Sequence, residues 1–274
     1  MPEAIQRTKH PIKSLVLRLR CALPFLRRVP VEIRQGPLGG FRWLPSAGDT
    51  LYVEGEYERE TQAIFLKMIA RGSVVYDLGA HRGFFSLLAA KIVGPQGRVL
   101  AFEPSSRNEH ILRAQAALNG FVQIASYPFA IGAARGTVDF SDLEDDMANT
   151  LVTSSPRFAR SRSVRKVEAR RLDDLLGGEM PAPQFIKMDI EGAEFDALSG
   201  ARECLARHRP VLYVSMHENH LPGVERKCLD LLAQLDYDVA LVQVNELDPG
   251  IKDYLAVPRA RIVTSGTKSG VGSA

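Results

Sequence analysis

The sequence predicts an α/β fold built on an open, mostly parallel sheet with helices on both faces. Four segments, 73–78, 98–103, 184–189 and 211–216, are nearly continuous apolar runs, as expected for strands buried on both faces. Helical stretches alternate with these runs, and this alternation favours a layered sheet-and-helix domain. The first run ends in a glycine turn that opens a helix, a junction at which nucleotides often bind.

The remaining elements follow the same alternation. Further strands are predicted at 122–127 and 237–244, and the helical stretches are 84–93, 106–119, 192–207 and 224–235. The polar segment 141–166 interrupts the alternation, and we interpret it as a lid or a substrate loop. The Gly/Ser-rich residues 264–274 predict a disordered tail, so the domain is expected to span residues 49–263.

Residues 1–48 form a basic extension in this interpretation. Between residues 5 and 34 the chain carries eight arginine and lysine side chains and one glutamate. Apolar residues from Ile12 to Leu23 follow helical spacing, which predicts a basic amphipathic helix. Such a helix either contacts an anionic membrane surface or an acidic partner, or packs on its own domain with a solvated charged face.

Composition limits the function classes. The 274 residues carry a net charge of +3, which is too weak to predict a nucleic-acid footprint. The three cysteines, Cys21, Cys204 and Cys228, share no metal-like spacing and favour a reducing compartment. We therefore expect a cytoplasmic protein, with peripheral membrane contact as an option through the basic helix.

The glycine turn differs from a dinucleotide fingerprint. It reads Asp77-x-Gly79-x-x-x-Gly83, with an acid where G-x-G-x-x-G begins with glycine. That carboxylate repels a pyrophosphate but suits the ammonium and sulfonium groups of S-adenosylmethionine. Glu103 closes the next strand, where a carboxylate can accept hydrogen bonds from both ribose hydroxyls. The alternatives are that Asp77 caps the helix and that Glu103 is a solvated strand end.

A second acidic group follows a later strand, in the stretch FIKMDIEGAEFDALSGA at 185–201. Asp189 lies at the strand end, where it is expected to face the transferring methyl group. Glu191 and Glu194 lie in the next turn and either join the site or stabilise the following helix N-terminus. Lys187, inside the strand, is expected to pair with one of these acids.

The chain resembles the FkbM family of S-adenosylmethionine-dependent methyltransferases. The matching motifs are GEYERE (55–60), DLGAHRG (77–83), AFEPSSRN (101–108), LDDLL (172–176) and IKMDIEGAEFDALSGA (186–201). The resemblance implies a class I Rossmann-like methyltransferase whose sheet ends in an antiparallel hairpin. It also implies O-methylation of a sugar, a polyketide or another small-molecule hydroxyl.

The same resemblance implies cofactor contacts. Those to the methionine half are carried over to Asp77, Gly79, Ala80 and Gly83. Glu103 would hold the ribose, and Ala130 and Ile131 would flank the adenine. The chain departs from the family pattern at two places, with His81 in place of Asn and Ser215 in place of a Glu. The first departure affects a contact near the amino acid end of the cofactor, and His81 is kept in the expected cofactor set.

Methyl transfer to an alcohol needs a group that accepts the hydroxyl proton. The predicted catalytic residues are Asp189, His217 and Glu191, with either Asp189 or His217 as the proton acceptor. His217 is alternatively a half-buried strand-end residue. A magnesium ion at Asp189, Glu191 and Glu218 is a further option, because hard cations prefer carboxylate oxygens, but no ligand spacing requires it.

Two other function classes stay open. An RNA-modifying methyltransferase is disfavoured because the chain has no Pro-Pro dipeptide and no cysteine after a proline. A non-catalytic nucleoside-binding protein would keep Asp77 and Glu103 but would not need the acids at 189–194. The acceptor is expected to be a small molecule or a glycan. Arg157, Arg160, Arg162 and Arg165 either bind an anionic acceptor or form a solvated face.

Overall fold

The computed structural model describes residues 29–45, 49–141, 150–151, 164–176 and 180–259. The expected amphipathic helix, the tail and most of segment 141–166 lie outside these ranges. The strands are Val31–Glu32 (β1), Arg42–Trp43 (β2), Val74–Leu78 (β3), Arg98–Phe102 (β4), Ile124–Tyr127 (β5), Ala130–Ile131 (β6), Gly136–Ser141 (β7), Thr150–Leu151 (β8), Val164–Arg170 (β9), Phe185–Met188 (β10), Val211–His217 (β11), Tyr237–Val244 (β12) and Ile251–Pro258 (β13). The helices are Thr50–Glu54 (α1), Arg59–Met68 (α2), Phe84–Val93 (α3), Ser106–Leu118 (α4), Leu172–Leu175 (α5), Glu194–Ser199 (α6), Arg202–His208 (α7) and Val224–Gln234 (α8).

A seven-stranded sheet forms the centre of the fold, in the order β12-β13-β11-β10-β3-β4-β5. Adjacent strands from β11 to β5 are parallel, whereas β13 is antiparallel to both β11 and β12. The predicted mostly parallel sheet with an antiparallel C-terminal strand is therefore confirmed. All four residues of β10 are buried, which explains why this strand is apolar apart from Lys187.

Helices cover both faces of this sheet. Successive residues of β3 serve opposite faces, since Val75 belongs to the apolar cluster formed with α2 and α3. Tyr76 belongs to the cluster on the other face, together with residues of α6, α7 and α8.

Among the described helices, none combines the length and apolar character that a membrane span requires. The boundaries at residues 48 and 263 stay predictions.

The predicted single helix at 192–207 is wrong, because the structure has two helices there. Helix α6 ends at Ser199 and α7 begins at Arg202. A Cβ atom at Gly200 would lie 2.0 Å from the carbonyl oxygen of Gly132, so the chain packs too closely at this point for a side chain. Asp173 then accepts hydrogen bonds from the backbone N–H groups of Glu203 and Cys204, which fixes the start of α7.

A second sheet, in the order β6-β9-β7-β8, was not predicted. Its strands β7 and β9 are antiparallel, and they lead into and out of the segment interpreted as a loop. The alternation of exposed Lys166 and Glu168 with buried Val167 and Ala169 is the signature of a half-buried strand. The high charge of this stretch concealed that pattern.

Candidate active site

A cavity of about 470 Å³ opens at the carboxyl ends of β3, β4, β10 and β11. This edge is where ligands bind in open α/β sheets, and the volume falls within the roughly 300–1,000 Å³ of small-molecule sites. The predicted site residues that line it are Gly79, Ala80, His81, Glu103, Ala130, Ile131, Asp189, Glu191 and His217. The structure thus brings together residues from five segments that are far apart in the sequence.

Glu103 is fixed at one end of the cavity by the glycine turn. The backbone N–H groups of His81 and Ser105 donate to its two carboxylate oxygens, at 2.8 and 2.7 Å. Gly79 has a φ of 77°, and a Cβ atom there would lie 1.9 Å from the carbonyl oxygen of Asp189. Glycine at this position is therefore required by the contact between two turns, and not by space for a ligand alone.

Asp77 and Gly83 do not line the cavity, unlike the other residues of the expected cofactor set, and their contact with a cofactor stays a prediction. Ser86 donates from Oγ to Asp77 Oδ2 at 2.6 Å, and Lys187 Nζ lies 3.6 Å from Asp77 Oδ1. Gly83 begins α3 with a φ of 91°, and a Cβ atom there would lie 2.8 Å from Leu112 of α4. Asp77 anchors the turn, and Gly83 allows α3 and α4 to approach each other.

Asp189, Glu191 and His217 form a cluster at the other end of the cavity. His217 Nε2 lies 3.6 Å from Asp189 Oδ1 and 3.4 Å from Glu191 Oε2. His217 Nδ1 donates to Glu194 Oε1 at 2.8 Å, so Glu194 contributes to this cluster besides beginning α6. The second histidine, His220, has its Nδ1 atom 3.0 Å from Glu191 Oε2.

These carboxylates keep His217 charged. Burial alone lowers the pKa of His217, but Glu191 and Glu194 outweigh burial and raise this pKa to about 10. The imidazole is therefore protonated near neutral pH and has no lone pair with which to accept another proton. A His217 side chain that stays protonated cannot accept the hydroxyl proton, which leaves Asp189 as the available one of the two expected acceptors.

Lys187 lies beneath Asp189 as the expected ion-pair partner. Its Nζ atom is 3.4 Å from Asp189 Oδ2, and the Asp189 side chain remains 25% exposed. Burial on its own raises the pKa of Asp189, but Lys187 and His217 outweigh burial and hold it below its usual value. Asp189 is therefore an ionised carboxylate on the cavity surface.

Glu58 was missed as a site residue, although the GEYERE motif contains it. It lies just before α2 and lines the cavity near Asp189 and Lys187. Burial and the charge of Asp189 raise the pKa of Glu58 to about 7. The GEYERE motif was recognised in the sequence, but no sequence spacing predicts that Glu58 lies close to Asp189.

Three cavity residues have left-handed backbone conformations that side chains rarely adopt. The φ angles are 45° at Glu58, 49° at His81 and 56° at Glu191. Backbone strain of this kind costs on the order of 1–3 kcal/mol and concentrates at functional sites. The described residues contain two other such positions, Arg209 and Asp236, and neither lines the cavity.

A buried ion pair joins the N-terminal segment to the glycine turn. Arg82 donates from Nη1 to Asp49 Oδ2 at 2.7 Å, and Trp43 donates from Nε1 to the same oxygen at 2.9 Å. The guanidinium also lies 5.6 Å from the ring centroid of Tyr52. This ion pair was not predicted because its two residues are separated by 33 positions.

Glu218 lies outside the acidic cluster. Its carboxylate accepts hydrogen bonds from the N–H groups of Gly223 and Glu225 and so holds the start of α8. In the part of the chain that the structure describes, the residues grouped closely enough to hold a metal ion are Asp189, Glu191 and His217, whose ligand atoms lie within 4.8 Å of one another. The magnesium set that the sequence left as an option therefore differs from this group at one position, where His217 takes the place of Glu218.

The cavity lining is acidic overall. Its carboxylates are those of Glu58, Glu103, Asp189, Glu191, Asp248 and Asp253. The arginine and lysine among the described lining residues are Arg82 and Lys187, and each already forms an ion pair with a carboxylate. An acidic cavity of this kind favours a positively charged ligand.

A polar wall continues from the cluster towards the C-terminal hairpin. It consists of Asn219, Gln243, Asn245, Asp248 and Asp253, whose side chains carry hydrogen-bonding groups. Arg165 is not part of this wall, because its guanidinium donates to Pro104 and Ser106 at the opposite end of the cavity. Arg157, Arg160 and Arg162 lie outside the described residues.

Residues 77–242 match the family model described as the methyltransferase FkbM domain. Among curated proteins, methyltransferase sdnD of Sordaria araneosa is 27% identical over 157 residues, covering 47% of this chain. This chain spans 60% of that relative's length. The 2-O-methyltransferase NoeI of Sinorhizobium fredii is 25% identical over 181 residues, covering 60% of this chain and 72% of that protein.

Solved structures show further similarity. The methyltransferase FkbM from Methylobacillus flagellatus is 22% identical with a TM-score of 0.48, covering 67% of this chain and 43% of that chain. Aeropyrum pernix fibrillarin, solved with bound S-adenosyl-L-methionine, is 12% identical with a TM-score of 0.46, covering 69% of this chain and 68% of that chain.

Proposed function

Because the chain belongs to the FkbM methyltransferase family, we propose that it transfers the methyl group of S-adenosylmethionine to a hydroxyl group of a small molecule. The acceptor in this proposal is a sugar, a glycan or a polyketide-type product. The observation that carries the proposal is that Glu103 and the Asp189 cluster line the two ends of one cavity.

The residues of the cavity fit the cofactor. Glu103 would accept hydrogen bonds from the ribose hydroxyls, and Ala130 and Ile131 would lie beside the adenine. The backbone from Gly79 to His81 would contact the methionine half, whose positive charges suit the acidic lining. When bound, this cofactor supplies a methyl group on a positively charged sulfur, which is open to attack by an oxygen nucleophile.

Asp189 is the residue to which we assign the acceptor's hydroxyl proton. It is ionised and reaches the cavity surface, so it can accept a hydrogen bond from the hydroxyl and orient its oxygen. His217 contributes a fixed positive charge that keeps Asp189 and Glu191 in place. Holding the acceptor oxygen in line with the methyl group can lower the reaction barrier by up to about 7–11 kcal/mol.

The polar wall supports a hydroxyl-rich acceptor. Side chains such as Asn219, Gln243 and Asn245 carry donors and acceptors suited to neighbouring hydroxyl groups. The name of NoeI, a 2-O-methyltransferase, supports oxygen as the methylated atom. We do not propose a nucleic acid acceptor, because the wall and the rest of the cavity lining are acidic rather than basic.

A divalent cation at Asp189, Glu191 and His217 is the alternative to a metal-free mechanism. Binding there would compete with the proton on His217, because Asp189 and Glu191, which favour the protonated imidazole, would also be ligands of the cation. We therefore expect turnover to be unchanged after dialysis against a chelator. Loss of turnover that magnesium restores would support the alternative.

Cellular placement is also a proposal. We propose a cytoplasmic enzyme whose basic residues near the N-terminus contact anionic membranes. Full-length protein should sediment with anionic vesicles at low salt, and protein lacking residues 1–28 should not. Equal sedimentation of both proteins would refute membrane contact and leave the enzymatic proposal untouched.

The experiment that tests the function uses a cofactor with an isotopically labelled methyl group. Purified protein would be incubated with it and with sugar, glycan and polyketide acceptors, and products would be identified by mass spectrometry. Transfer of the label to a hydroxyl, lost in Asp189→Asn, supports the proposal. A protein that binds neither S-adenosylmethionine nor S-adenosylhomocysteine in calorimetry would refute it.

A further inference from the structure

The four-stranded sheet reaches the cavity through Phe140. This residue lies near the end of β7, is 3% exposed and lines the cavity. It shares an apolar cluster with Ala130, Val167 and Ala193. Phe140 therefore lies in the same part of the wall as Ala130, the residue expected beside the adenine.

Arg165 ties this sheet to the main domain. It donates from Nη2 to the carbonyl oxygen of Pro104 at 2.7 Å and from Nη1 to Ser106 Oγ at 2.9 Å. Its guanidinium carbon lies 5.8 Å from the ring centroid of Phe140. Pro104 directly follows Glu103, so Arg165 links Phe140 to the segment that carries the ribose-binding carboxylate.

We propose that Phe140 and Arg165 form a clamp for the adenosine part of the cofactor. Phe140 supplies an aromatic surface for the adenine, and Arg165 holds that surface against the Pro104–Ser106 segment. Phe140 is thus a binding residue and Arg165 a positioning residue. The inference rests on the proposed function, because it takes S-adenosylmethionine as the ligand.

The clamp can be tested by calorimetry with S-adenosylhomocysteine and 5′-methylthioadenosine, which share the adenosine group. Arg165→Ala should raise the Kd of both ligands by about tenfold, because the two hydrogen bonds to Pro104 and Ser106 no longer hold Phe140 in place beside the adenosine. Phe140→Leu keeps an apolar side chain but loses the aromatic face, and should raise both Kd values by about threefold to tenfold.

Lys166→Ala is the matched control. Lys166 is the next residue of β9, but its side chain is exposed and pairs with Asp139 at 2.9 Å on the outer surface. The control should leave both Kd values within about twofold of wild type. Arg165→Lys keeps the charge but not the two-pronged contact, so it should lie between wild type and Arg165→Ala. Thermal unfolding of each variant shows whether the fold is retained.

The outcomes separate the clamp from the proposed function. Weaker binding of both ligands in folded Phe140→Leu and Arg165→Lys, with Lys166→Ala unchanged, supports the clamp. Wild-type affinities in folded Phe140→Leu and Arg165→Ala would overturn the clamp and leave the methyltransferase proposal standing. Absence of S-adenosylhomocysteine binding to the wild-type protein would overturn both.

Discussion

His217 donates from Nδ1 to Oε1 of Glu194 at 2.8 Å, and the Glu194 side chain is fully buried. The same glutamate oxygen accepts the N–H of Gly192 at 2.9 Å, so its position is fixed by the turn before α6. On the other side of the ring, Nε2 faces Glu191 and Asp189. The imidazole is thus enclosed by the carboxylates of Glu194, Glu191 and Asp189, and Glu191 and Glu194 raise the pKa of His217.

The first prediction concerns the protonation of His217. Its pKa of about 10 is raised above the ordinary value, so its stabilising contribution is complete below pH 6.5 and is lost only as the pH rises through about 10. The ring should therefore show no titration by NMR between pH 5 and pH 8. Glu194→Gln should lower the pKa, whereas Glu218→Gln, which alters a residue outside the cluster, should not. A His217 titration near pH 6.5 in the wild type would contradict the enclosed imidazolium.

The second prediction concerns Asp189. Asp189→Asn keeps the size of the side chain but removes the charge that accepts the hydroxyl proton, so turnover should fall by about 10²–10⁴-fold. Glu218→Gln is the control, because Glu218 holds the start of α8 and lies outside the cluster. Initial rates at saturating cofactor are the measurement. Equal rates for both variants would remove Asp189 from the catalytic set.

The sequence predicted the central sheet well because its strands carry strong local signals. Strands β3, β4, β10 and β11 are buried on both faces and are therefore largely apolar. A largely apolar segment can be recognised in the sequence without knowing which strands it pairs with. The glycine turn and Glu103 were also predictable, since a short motif contains the whole turn. By contrast, β9 alternates charged residues with small ones. This alternation can be recognised as a strand only when its pairing with β7 is known.

The site was predictable only where a single segment determines it. Asp189 and Glu191 follow from one strand end, and both do line the cavity. Asp77 was assigned to the cofactor because sequence spacing cannot show that Lys187 and Ser86 already contact its carboxylate. Glu58 and the Asp49–Arg82 pair depend on contacts between distant segments, which a single sequence does not encode locally.

The third prediction tests the ribose contact. Glu103→Ala removes about two hydrogen bonds to a charged acceptor, each worth about 1.5–3 kcal/mol, so the affinity for S-adenosylmethionine should fall by at least about a hundredfold. Part of the loss comes from the glycine turn, because His81 and Ser105 lose their acceptor. Glu168→Ala, an exposed change on β9, should leave the Kd unchanged in calorimetry. Unchanged affinity in Glu103→Ala would refute the ribose assignment.

The fourth prediction concerns stability. Asp49→Asn leaves the buried Arg82 without its counter-charge, and breaking a buried ion pair in this way costs about 3–5 kcal/mol in the free energy of unfolding. Urea unfolding followed by circular dichroism measures this loss. The double variant Asp49→Asn/Arg82→Met removes the unpaired charge, so it should be more stable than Asp49→Asn alone. If Asp49→Asn unfolds at the wild-type urea concentration, the pair contributes nothing to stability.

The last prediction concerns Glu58 and the charge of the cofactor. Burial and Asp189 raise the pKa of Glu58 to about 7, whereas Lys187 keeps Asp189 ionised, so Glu58 is the carboxyl group that holds the proton. A bound sulfonium favours the ionised form, and binding of S-adenosylmethionine at pH 7 should release up to about half a proton.

Calorimetry in buffers with different ionisation enthalpies measures this release. S-adenosylhomocysteine has a neutral sulfur and should release a smaller fraction, because one positive charge is absent. Glu58→Gln has no proton to release and should give equal binding enthalpies in all buffers, while Glu56→Gln, two positions earlier in the same motif, should behave as wild type. Below pH 7 the wild-type protein must first lose this proton, so its affinity for S-adenosylmethionine should fall with decreasing pH and that of Glu58→Gln should not. Buffer-independent enthalpies for the wild-type protein would show that the cofactor's charge does not reach Glu58.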